Sequence, residues 1–119
     1  MKEELKKRMF RFAVDCGKLC ATFPKSREYN AYCNQLIRSS SSVGANYRAA
    51  CRAKSDRDFI YKLKIVEEEA DESMLWLDVL KEMKGIENAK MKRLYKEANE
   101  LISIAVASII TVRKRLKNK

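Results

Sequence analysis

The sequence predicts an all-α fold, an antiparallel up-down-up-down bundle of four helices, on three observations. Apolar and small residues recur at alternating steps of four and three along four separate stretches, which is the seam of a helix packed on other helices. The connections between these stretches are short, so consecutive helices are antiparallel neighbours. One proline and three glycines among 119 residues leave few breaks inside the elements. One domain over 1–119 holds this pattern, with helices at about 3–22, 30–53, 56–84 and 88–116.

The first helix carries Leu5, Met9, Phe12, Cys16, Leu19 and Phe23 on its seam, and Pro24 follows its end. The second carries Tyr29, Cys33, Leu36, Ser40, Val43, Tyr47 and Ala50. Four serines and Gly44 sit inside it, all mediocre or poor helix formers. Small side chains there let a neighbouring backbone approach closely, and the hydroxyls can bond a carboxylate or the preceding turn. The third helix opens on Ser55-Asp56-Arg57-Asp58, a capping-box-like start, and continues with Phe59, Leu63, Val66, Ala70, Ser73, Leu77 and Leu80. Lys81, Lys84 and Gly85 form its stop. Asn88 caps the fourth helix, whose seam is Met91, Leu94, Ala98, Leu101, Ala105, Ser108 and Val112.

Composition narrows the function classes. The chain has 26 Lys and Arg against 16 Asp and Glu, a formal net charge of +10, so acidic partners are expected. Residues 1–64 carry 15 basic and 6 acidic side chains, residues 65–89 carry 2 and 8, and residues 90–119 carry 9 and 2. The first residues lead into an amphipathic helix rather than a signal peptide, and the apolar run 101–112 is too short to span a bilayer. Cys16, Cys20, Cys33 and Cys51 sit at helix-core spacing, so reduced thiols and a cytoplasmic setting are expected.

No catalytic constellation emerges. The absence of histidine removes the usual base for a serine nucleophile and the Glu-x-x-His pairs of a carboxylate metal site. No Cys-x-x-Cys knuckle or phosphate-binding loop occurs. The expectation is a protein that is not an enzyme and holds no cofactor or metal.

Three sets of residues remain to be placed. If the second and third helices form a hairpin turning near Lys54, antiparallel geometry puts Arg38 near Asp71 and Ser41 near Glu68. A close-packed centre of Ser40, Ser41, Gly44, Arg38, Glu68 and Asp71 follows. The basic residues form one group at Arg48, Arg52, Lys54 and Arg57 and another at Arg113, Lys114, Arg115, Lys117 and Lys119. Either can contact phosphate. Ile65, Trp76, Val79 and Met83 lie off the third seam, and Ile104, Ala107, Ile110 and Thr111 off the fourth, so they are expected to pack between subunits.

Several motifs occur in order: Gln35-Leu-Ile-Arg-Ser-Ser-Ser-Ser-Val-Gly-Ala-Asn46, Tyr47-Arg-Ala-Ala-Cys-Arg-Ala-Lys-Ser55, Val66-Glu-Glu-Glu-Ala-Asp-Glu72, Trp76-Leu77 and Lys96-Glu-Ala-Asn-Glu-Leu101. With these the sequence resembles the bacterial family of proteins encoded in 23S rRNA intervening sequences, the S23 family. Many members read Asn-Ile-Ala-Glu-Gly where this chain has Asn46-Tyr-Arg-Ala-Ala50. The resemblance implies a four-helix bundle assembled as a ring, commonly a pentamer. A similar accessory protein of diversity-generating retroelements binds RNA and a reverse transcriptase.

The expected function is therefore a non-enzymatic, ring-like homo-oligomer that binds RNA through its phosphate backbone, alone or within a ribonucleoprotein. The alternative is a structural or protein-interaction module with no nucleic-acid role.

Overall fold

The computed structural model describes every residue except Glu87 and Lys119. It is a bundle of four α-helices: α1 (Lys2–Cys20), α2 (Arg27–Cys51), α3 (Asp56–Lys84) and α4 (Ala89–Lys117). The bundle is elongated, 54 × 22 × 20 Å. Helix α2 packs most broadly on α3, and α3 on α4, while α1 lies against α2 and touches α4 least.

Local chemistry fixes the helix ends. Ser26, Ser55 and Asn88 each adopt extended backbone, and their side-chain oxygens accept from the amides of Tyr29, Asp58 and Met91 at 3.1, 3.1 and 2.8 Å. Such caps satisfy amide groups that have no partner in a helix's first turn. The Ser26 cap starts α2 at Arg27, three residues before the expected Asn30. Gly85 ends α3 at φ 82°, and its amide donates to the Lys81 carbonyl at 2.9 Å. That left-handed conformation suits glycine, which has no Cβ to clash. At the first turn, the Phe23 and Tyr29 rings stack at 5.1 Å and 13°.

The core follows the seams, with two shifts. Ser39 is as fully buried as Ser40, and on α4 the inward position is Ile109, whereas Ser108 is half-buried. The α4 apolar stripe is wide enough for either residue to face in, and the larger one does so.

The packing around Arg38 differs from the expected pairing. Its guanidinium forks onto Glu69 (3.2 Å) and Glu72, while Asp71 and Glu68 face solvent. Ser41 also faces outward. The serine that crosses to α3 is Ser39, whose Oγ lies 2.8 Å from Ser73 Oγ. Ser73 donates in turn to the Glu69 carbonyl at 2.9 Å, so both buried hydroxyls are satisfied. Ser40 bonds back to the Ile37 carbonyl at 3.3 Å rather than to a carboxylate. Gly44 approaches α1 rather than α3: a Cβ built there would stand 3.7 Å from the backbone and Cβ of Met9. The α2–α3 register lies close to the expected one, since Glu69 and Glu72 stand on either side of position 71; the difference is the face of α3, which turns Glu69, Glu72 and Ser73 toward α2 and Glu68 and Asp71 to solvent.

Candidate nucleic-acid interface

Antiparallel connectivity puts the start of α1, the α2–α3 turn and the end of α4 at one end of the bundle, the base. The two basic groups thus meet in space. Arg115 Nη2 and Asp56 Oδ1, 3.1 Å apart, tie α4 to the beginning of α3. Arg48, Arg52, Lys54, Arg57, Arg113, Lys114 and Arg115 are all exposed there.

The basal two turns of each helix, residues 1–8, 44–64 and 110–118, hold 14 basic and 4 acidic side chains, net +10. They span about 12 Å of the long axis. The other described residues carry 11 of each sign. The charge excess of the described chain is therefore confined to one end. Lys2, Lys6, Lys7 and Arg8 belong to this end and were missed by counting charge along the chain. Tyr61, 61% exposed and beside Lys62, adds an aromatic face that the sequence pattern did not reveal.

These cations are not equally available. Arg8 pairs with Glu97 and Glu100 of α4, and its pKa is raised chiefly by the Glu97 hydrogen bond. Arg48, Arg52, Lys54, Arg57, Arg113 and Lys114 form no ion pair among the described residues. Six such cations at one end of the bundle create the potential that attracts a polyanion. Lys119 lies outside the described residues.

The apolar residues expected between subunits fall on two flanks rather than one patch. The Trp76 ring stacks on Tyr32 of α2 at 5.9 Å, and its indole N–H donates to Glu72 at 3.1 Å. Helical spacing puts Ile65, Val79 and the exposed Met83 along that outer side of α3. Ala107 and Thr111 instead wall a basal cleft shared with Lys2 of α1, with half-buried Ile104 on the same flank. Ile110, 48% exposed, points away from the bundle.

No group of three or more potential metal ligands occurs among the described residues. All four cysteines are free thiols. Burial pushes Cys16 up to about 12 and also raises Cys20 and Cys33, which keeps these thiols protonated and poorly nucleophilic. No helix among the described residues is long and apolar enough to cross a membrane.

Comparison with curated proteins returns no match. Among solved structures, one similar chain is a protein of unknown function from the S23 ribosomal protein family of Bacteroides thetaiotaomicron. It is 30% identical, and the match covers 87% of this chain and 96% of that one with a TM-score of 0.79. The family model described as 23S rRNA-intervening sequence protein matches residues 1–107. With the bundle, the motif order and these matches together, the chain belongs to the 23S rRNA-intervening sequence protein family.

Proposed function

We propose that this protein is a non-enzymatic accessory factor that binds RNA through its phosphate backbone, using the base of the bundle. The observation that carries this reading is the confinement of the charge excess to one end, where six exposed cations have no ion-pair partner among the described residues. A solvated surface needs both signs interspersed for solubility, as the rest of this molecule has. A one-signed end concentrates field instead and draws polyanions. The family's connection in name with 23S rRNA supports RNA as the polyanion.

The working form is a homo-oligomer, a ring of about five copies by the family resemblance. The α3 flank Ile65–Trp76–Val79–Met83 and Ile104 on α4 suit a head-to-tail contact in which unlike surfaces meet, with Ala107 and Thr111 left open to the basal cleft. Repeated around a rotation axis parallel to the bundles, that contact turns every base toward one side. A ribonucleoprotein such as a reverse transcriptase complex is a suitable larger setting.

The test is fluorescence anisotropy with labelled RNA over about 50–200 mM salt. Neutralising six phosphates gives a log–log slope of about −4 to −5, so affinity falls roughly a thousand-fold across that range. Binding that is absent at the low end, or indifferent to salt, refutes the reading and leaves a structural or protein-interaction module.

A further inference from the structure

The four helix ends do not close completely at the base. A cleft of about 540 Å³ opens among them, a size common for small-ligand sites. Its apolar lining is formed by buried Ala50 and Val112 and half-buried Phe59, with half-buried Cys51 and Ser108 beside them. Its mouth carries exposed Lys2, Lys54 and Arg115, with Asp56 paired to Arg115.

Contact with a plain phosphate backbone uses neither depth nor apolar surface. A cleft that is apolar inside and cationic at the mouth fits a ligand with a flat, weakly polar body and an anion on one side. A nucleotide has that form. We propose that this cleft takes one unpaired nucleotide of a bound RNA, its base against Phe59 and Val112 and its phosphate between Lys2, Lys54 and Arg115. The inference rests on the RNA-binding reading above and adds what that reading lacks, a reason to prefer one RNA over another. Bases in a duplex are paired and stacked and cannot enter, whereas a loop or strand end offers a base free to turn out.

The experiment compares a hairpin with an unpaired loop against a blunt duplex of equal length, by anisotropy at fixed salt. The loop is expected to bind about tenfold tighter or better, the size of a base-stacking contribution. Thr111 is exposed on the cleft wall, so Thr111→Trp fills the space without entering the core. Sedimentation and melting of the variant are matched to the parent first. Its loop preference falls to about onefold while duplex affinity holds. A rim variant, Lys2→Glu, reduces the same preference if the tryptophan fails to fold.

Free ligands separate this inference from the function on which it rests. In amide-resonance titrations, adenosine monophosphate shifts signals from residues 50–59 and 107–115, and neither adenosine nor inorganic phosphate does so as strongly. Equal shifts with inorganic phosphate overturn the role of the apolar lining. Equal affinity for loop and duplex, or a Thr111→Trp loss common to both, overturns the cleft while leaving backbone binding intact. Monophosphate binding without any RNA binding overturns RNA as the source of the nucleotide.

Discussion

Gly44 offers a quantitative test of how tightly α1 and α2 are packed. Glycine inside a helix costs about 0.8–1.0 kcal/mol relative to alanine. A close approach would forbid the larger residue, but an added Cβ stands 3.7 Å from Met9, ordinary van der Waals distance. Gly44→Ala is therefore expected to stabilise the protein by about 0.8 kcal/mol. Unfolding entropy of about 2.1 cal/mol/K per residue makes that roughly 3 °C in Tm for a chain of this length. Leucine is different. Its branch extends past the Cβ beside α1, where Met9 is 1% exposed, at the edge of a groove lined by Phe10, Ala13 and Ser41. Overpacking of this kind costs roughly 1–3 kcal/mol. Urea denaturation of the three proteins, at equal m-values, measures both effects. A lowered midpoint for Gly44→Ala would show that a Cβ at this position meets Met9 more closely than 3.7 Å. An unchanged midpoint for Gly44→Leu would show that the groove beside Phe10 absorbs the side chain.

Arg52→Glu with Arg57→Glu is expected to weaken RNA binding and flatten its salt dependence; binding that survives this pair but vanishes on removing residues 113–119 would assign the interface to the α4 end instead. Ser39→Ala takes a hydrogen-bonding partner from buried Ser73 and should cost about 1 kcal/mol, while adding Ser73→Ala should cost little more in a double-mutant cycle of denaturation midpoints. The Trp76 indole and then Arg38 lower the pKa of Glu72, against the opposing effect of burial. Its contribution to stability is therefore present above the ordinary glutamate range and lost as pH falls through the lowered value, so Glu72→Gln should flatten the acid limb of stability measured by urea unfolding across that range. Ile104→Lys should convert an oligomer to monomers in sedimentation velocity, and a wild-type protein already monomeric at micromolar concentration would remove the subunit contact.

The helices were legible because their seams combine apolar and small residues at a strict spacing. Leu63, Val66, Ala70, Ser73, Leu77 and Leu80 all turn inward as that spacing requires. The position of Ile109 was not legible, since in a run apolar on most sides periodicity does not choose between adjacent residues. Nor were the partners of Arg38. Position 71 is level with Arg38, but helical rotation turns Asp71 to solvent and brings Glu69 and Glu72, one on each side of it, toward the guanidinium. For the candidate interface, the sequence marked Arg48–Arg57 and Arg113–Arg115 as separate groups. Antiparallel topology joins them and adds the α1 start, so the missing step was spatial rather than chemical. The basal cleft had no sequence signal, because it forms where four chain segments fail to meet.

The one-ended charge also bears on how copies of the molecule associate. In a ring whose rotation axis runs parallel to the bundles, all bases point the same way, and neighbouring bases repel one another over roughly a 10 Å screening length in 0.1 M salt. Added salt or a bound polyanion relieves that repulsion, so association and polyanion capture become thermodynamically linked: each lowers the free-energy barrier that opposes the other. The same asymmetry exerts a torque on a single copy approaching a negative surface and turns it base-first before contact. Orientation would then be set at long range by the field, leaving only short-range chemistry to decide whether the encounter lasts.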